Sequence, residues 1–125
     1  MEKQTYTYDE AFAKSLEYFK GDELAARVWV NKYAVKDSFG NIYEQSPEDM
    51  HWRLANEVAR IEAKYANGLS AEQLFEWFDH FRYIVPQGSP MAGIGNNFQI
   101  SSLSNCFVIG TNGKSDSYGA IMKID

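Results

Sequence analysis

The sequence predicts an α/β protein that opens on a helical block, and three observations carry that reading. Capping residues recur just ahead of apolar residues at helical spacing as far as Arg82. From Tyr83 the pattern changes to a short β-type run and a Gly/Pro/Asn-rich stretch. A strand-like alternation then follows at Leu103 to Ile109, with a second helix start near the end. The predicted division is a helical domain over 1–82 and the beginning of a second, α/β domain over 83–125.

Taking the elements in order, Thr7 and Glu10 form a possible capping box ahead of Phe12, Leu16 and Phe19, with Gly21 as the stop. A second helix is predicted from about Asp22 to Tyr33, turning Leu24, Val28 and Trp29 inward. Asp37-Ser38-Phe39-Gly40-Asn41 is a turn cluster. Ser46-Pro47-Glu48-Asp49 starts a third helix: Ser can cap, Pro suits the first helical position, and the acids complement the helix dipole. Met50, Leu54, Val58 and Ile61 follow at helical spacing, and Asn67-Gly68 is predicted to end the run. Ser70 and Gln73 open a fourth helix carrying Leu74, Phe75, Phe78 and Phe81.

Tyr83-Ile84-Val85 is a β-type run halted by Pro86, and Gln87 to Asn97 reads as an irregular loop. Leu103 to Ile109 is predicted as a strand, with Ser104, Cys106 and Val108 on one face and Leu103, Asn105, Phe107 and Ile109 on the other. After a loop at Gly110 to Ser115, Asp116 or Ser117 caps a helix beginning at Tyr118. The sequence ends at Asp125 about two turns into it, which reads as an α/β domain cut shortly after it begins.

The 125 residues are 45% hydrophobic, enough for one core. A net charge of -5, with Lys14, Lys20, Arg27, Lys32 and Lys36 interleaved with acids as on solvated helix faces, predicts neither a nucleic-acid nor an anionic-membrane partner. No apolar signal region or membrane-length run occurs. A single cysteine excludes an internal disulfide and fits a reducing, cytoplasmic setting.

Several motif-like stretches carry little chemistry. Gly93-Ile94-Gly95 lacks the third glycine of a dinucleotide loop, Phe98 standing in its place, and Gly113-Lys114-Ser115 lacks the phosphate-loop glycine at Val108. His51 and His80, in separate predicted helices, read as packing or surface residues, because a metal site needs three or four convergent ligands. Glu48 and Asp49 are explained by capping. Cys106 stays open between a core thiol, as its apolar neighbours suggest, a lone nucleophile, and half of a pair completed elsewhere. Ser104 on its predicted face and the preceding Gly/Pro-rich loop favour a polar ligand nearby.

Arg82-Tyr83-Ile84-Val85-Pro86-Gln87-Gly88-Ser89-Pro90-Met91-Ala92-Gly93, then Ser104-Asn105-Cys106-Phe107-Val108, then Asp116-Ser117-Tyr118-Gly119 resemble, in order and spacing, the amino-terminal part of adenosylcobalamin-dependent, class II ribonucleotide reductases. Leu24 to Trp29 and Lys32-Tyr33-Ala34 resemble their helical region. The resemblance implies a ten-stranded α/β barrel entered through a helical domain, with Cys106 on the first barrel strand. It implies that Cys106 and a second, downstream cysteine reduce the ribose 2′ carbon and become a disulfide, while a thiyl radical generated with adenosylcobalamin starts the reaction. Ser89 falls where the family holds substrate phosphate, and Asn105 and Cys106 fall beside the ribose; Ser104 is read as a further substrate-binding residue. The implied partners are a ribonucleotide, read as a diphosphate, a thiol reductant such as thioredoxin, a nucleotide effector and a second copy in a homodimer. The cobalamin contacts would lie mainly downstream of Asp125, so this stretch alone would be inactive. Two alternatives are a class I large subunit served by a separate metal-containing protein, and a noncatalytic helical binding module.

Overall fold

The computed structural model describes residues 4–108 and residue 122. Five helices occur among them: α1 (Tyr8–Tyr18), α2 (Glu23–Lys32), α3 (Pro47–Glu62), α4 (Ala71–Phe78) and a short α5 (Gly88–Gly93). A tight turn, Asp79–Phe81, follows α4 directly.

Local chemistry sets the helix starts. Thr7 and Glu10 close a reciprocal capping box on α1, Ser70 and Gln73 do so on α4, and Asp22 accepts the Ala25 N–H at the start of α2. At α3 the predicted Ser46 cap is absent. Asp49 instead reaches back to accept the Gln45 N–H at 3.0 Å, while Ser46 is buried. That helix also ends earlier than Asn67-Gly68, at Glu62. Gly68 is needed there for a different reason: a Cβ on it would fall 2.1 Å from the Glu62 carbonyl oxygen.

Helices α1 and α2 pack together, as do α3 and α4. The shared core is built from Ala11, Trp29, Val30, Ile42, Met50, Leu54, Ala55, Leu74 and Phe78. The Trp29 Nε1–H points at the Met50 sulfur at 3.2 Å, joining α2 to α3 across it. Here the predicted inner face of α2 needs correction: Trp29 is buried, but Leu24 is 71% exposed and Val28 lies at the surface. Ala26, Trp29 and Val30 face inward instead, on a helix that packs against α1, where Ala11 and Ser15 are buried as well. Lys36 also departs from a solvated face. It is half-buried and donates to the Val30, Asn31 and Ala34 carbonyls, satisfying acceptors that the end of α2 leaves free.

Tyr83-Ile84-Val85 forms no strand; the Tyr83 and Ile84 N–H groups donate to the Trp77 carbonyl. The stretch read as an irregular loop contains α5. Its proline is Pro90, in the first helical turn, where a missing N–H costs no intrahelical bond. Residues 103–108 form no strand and are exposed, since no other described segment runs alongside to complete a ladder. The alternation that put Ser104 and Cys106 on one face therefore does not hold across these residues. Ile109, the Gly110 to Ser115 loop and, but for Met122, the helix from Tyr118 lie outside the described residues. Pairing among them is limited to isolated bridges, Tyr6 with Ile42 and Lys36 with Ile42.

Candidate active site and its support

The segment that carries Ser89 is short and depends on its neighbours for shape. A six-residue helix has too few internal bonds to persist alone. At its start, the Ser89 N–H donates to the Asn105 Oδ1 at 2.7 Å, and the Asn105 Nδ2 donates to the Gln87 Oε1 at 2.9 Å. Two of the residues singled out in the sequence are thereby brought together across sixteen positions.

At the other end of α5, Arg53 on α3 donates to the carbonyls of Met91 at 2.6 Å and Ile94 at 2.5 Å. Its remaining donors meet Glu44, with the Nε at 3.0 Å from Oε2. Both side chains are nearly covered. Burial pushes the Glu44 carboxyl above the usual range, while the Arg53 charge and hydrogen bonds pull it back. Glu44 also accepts the Val35 N–H at 3.1 Å. Gly95 lies directly on Arg53: its φ is +73°, and a Cβ there would sit 2.9 Å from the Arg53 Cγ. Gly93 and Gly95 thus serve close packing, the role that the incomplete dinucleotide pattern hid. Nothing in the spacing of Glu44 and Arg53, nine residues apart, marks them beforehand.

Cys106 is exposed and free, so the reading of it as a core thiol gives way. Ser104 is exposed as well, its N–H donating to the Ser102 Oγ at 3.2 Å. The arrangement offers hydroxyls, an amide and a thiol on one accessible stretch beside a fixed helix start, suited to a polar ligand and to thiol chemistry.

A family of sequences described as ribonucleotide reductase, all-alpha domain, matches residues 19–91, from the end of α1 into α5. The chain belongs to this family. No curated protein and no solved structure matches the chain. The matched span of the reductase domain covers α2, α3 and α4 and reaches the clamped segment with Ser89. Membership ties the chain to ribonucleotide reduction and to the helical amino-terminal part of the large subunit.

A second polar cluster joins Tyr18, just ahead of the matched span, to His51, Asp79 and His80 within it. Tyr18 donates to the Asp79 Oδ1 at 3.0 Å and accepts the His80 N–H at 2.6 Å. The fully buried His51 places its Nδ1 3.4 Å from the Tyr18 oxygen and 3.7 Å from Asp79. With the Tyr18 hydrogen committed to Asp79, a bare Nδ1 would face two oxygen lone pairs, so the proton sits on Nδ1. The Nε2 lone pair is then left without a partner among the described residues. Burial holds the His51 imidazole neutral, with its pKa pushed down to about 4. His80, stacked on Tyr18 with ring centroids 4.3 Å apart, is half exposed. No group of three or more ligands able to hold a metal occurs among the described residues, and no helix among them is long and apolar enough to cross a membrane.

Proposed function

We propose that this chain is the front of the large subunit of a class II ribonucleotide reductase, a cytoplasmic enzyme reducing ribonucleoside diphosphates, and that Cys106 is one of its two reducing thiols. The observation that carries the reading is the Ser89–Asn105 hydrogen bond. It joins the first two of the three motif segments that resemble the class II enzymes, and Cys106, in the second of them, is exposed. In this reading Ser89 meets substrate phosphate, Asn105 and Cys106 line the ribose, and Ser104 is a further substrate-binding residue.

The thiol step balances as a two-electron reduction. Cys106 and a second cysteine supplied downstream give up two electrons and two protons. The ribose C2′–O bond breaks, the oxygen leaves as water, C2′ gains hydrogen, and the two sulfurs join as a disulfide. A thiol reductant of the thioredoxin type then restores the pair by exchange. Adenosylcobalamin would supply the radical that initiates the reaction. A hollow of about 450 Å³ on α1, lined by Tyr6, Glu10, Lys14, Glu17 and Gln45 among others, offers a corrin neither space nor a histidine. That hollow does not fit the group, whose contacts in this reading lie mainly downstream of Asp125.

The test uses the complete reductase chain with a dithiol reductant, adenosylcobalamin and a ribonucleoside diphosphate. Turnover is expected in the unaltered enzyme, and Cys106→Ser should abolish it while leaving the fold intact, because a hydroxyl cannot enter the disulfide. Normal turnover by Cys106→Ser sinks the assignment of this residue. Activity that ignores adenosylcobalamin and needs a metal-containing second subunit moves the chain to class I.

A further inference from the structure

We infer that Arg53, held by Glu44, is a positioning residue for the phosphate end of the substrate. The inference rests on the reading that Ser89 meets substrate phosphate. Arg53 touches no part of the proposed ribose site; it acts through α5.

Three observations lead there. The hydrogen bonds of Arg53 are divided between one carboxylate and two main-chain carbonyls, Met91 and Ile94, at the end of the helix that presents Ser89. These acceptors would otherwise be unpaired at a helix end, so the guanidinium supplies the terminus that a six-residue helix cannot supply for itself. The planar fork fixes direction as well as distance, which a lysine ammonium cannot do. Finally, Gly95 presses its backbone onto the Arg53 stem, and a Cβ there would also lie 3.3 Å from the Arg53 carbonyl oxygen, so the segment after α5 is held against α3.

A buried ion pair contributes little net stability, because desolvation offsets the attraction. What Glu44 and Arg53 contribute is geometry. The Val35 N–H on the other side of Glu44 keeps the carboxylate from turning, and the carboxylate keeps the guanidinium aimed at α5. Through this chain of bonds, the linker after α2 and the body of α3 set where Ser89 stands. Loss of that setting weakens the hold on a phosphate but leaves the thiol chemistry at C2′ untouched.

The experiment compares steady-state kinetics of the complete reductase with three variants. Ser89→Ala reports on the underlying reading. Arg53→Lys keeps the charge and loses the fork. Arg53→Met combined with Glu44→Gln removes both charges while keeping an acceptor for Val35, so that a folded enzyme without the clamp is obtained even if the single change unfolds it. Both clamp variants are expected to raise KM for the ribonucleotide by about tenfold with kcat within about threefold, the signature of lost ground-state binding. Inhibition by the corresponding nucleoside, which lacks phosphate, should be unchanged. An unchanged KM in either folded clamp variant, or equal losses for nucleotide and nucleoside, overturns the inference. If Ser89→Ala raises KM and the clamp variants do not, the reading of Ser89 stands and the inference alone fails. An unaffected Ser89→Ala enzyme removes both.

Discussion

Asn105 closes onto Ser89: its side-chain oxygen accepts the Ser89 amide hydrogen at 2.7 Å while its amide nitrogen holds Gln87. Replacing Asn105 with Leu keeps the size and removes both bonds. One lost hydrogen bond of about 1 kcal/mol should speed exchange of the Ser89 amide by about fivefold. Because both groups are exposed, global stability should change by less than about 0.5 kcal/mol. Hydrogen exchange followed residue by residue checks this, and unchanged protection at Ser89 counts against the link.

His51 gives the domain a pH dependence with a defined sign. Unfolded, the imidazole takes a proton near pH 6.5; folded, burial delays that to about pH 4. Between these values the unfolded chain binds more protons, so stability is full above about pH 6.5, falls as pH drops toward 4 and levels off below. The loss attributable to this residue is at most about 3.4 kcal/mol. Denaturation curves at pH 7.5 and 4.5 for the unaltered chain and for His51→Leu isolate it. The difference between the two proteins should shift in favour of the variant at the lower pH, and parallel behaviour refutes the assignment.

Tyr18→Phe tests the cluster from its other side. The change removes the donor to Asp79, the acceptor for the His80 N–H and the oxygen facing His51. A destabilisation of about 1–3 kcal/mol at pH 7 is expected in urea unfolding. The unaltered Tyr18 hydroxyl is also held well above the ordinary tyrosine range, chiefly by burial. Tyr18 should ionise only as the domain unfolds in alkali. Ultraviolet titration reads that directly.

Gly95 and Gly21 both take positive φ, +73° and +92°, but only Gly95 is crowded. Gly21→Ala meets open space and should cost about 1 kcal/mol for its backbone alone. Gly95→Ala carries the same cost and pushes on Arg53 as well, so it should exceed Gly21→Ala by about 1 kcal/mol or more. Equal thermal shifts for the two variants would show that Gly95 does not press on the clamp.

The parts of this fold that were legible in the sequence are those decided within a few residues. Thr7 with Glu10 and Ser70 with Gln73 announce their helices because a capping box is closed by neighbours. The inner face of α2 was not legible. Trp29 was rightly turned inward, but Leu24 and Val28 make as good a companion stripe as Ala26 and Val30, and only packing against the other helices selects between them. In α5, glycine and proline suggested a loop, while Arg53 and Asn105, both remote in sequence, hold a helix there. Residues 103–108 show the opposite case: alternation promises a strand, but a strand also needs an edge to pair with. Of the candidate site, Ser89 and Asn105 were recognisable by resemblance, whereas the Glu44–Arg53 support was not.

The Arg53 clamp also bears on how such domains can vary in length. Met91 and Ile94 are held by one guanidinium whose reach is fixed by the α3 backbone, so a single inserted or deleted residue between them would carry one carbonyl out of range. Among the described residues, the turn around Asp37 to Asn41 and the stretch at 63–67 show no such tether to a second helix, and Phe39 in the first of them is 88% exposed. Length differences among related chains should therefore collect at those two connections, and the four residues from Met91 to Ile94 should keep a constant count.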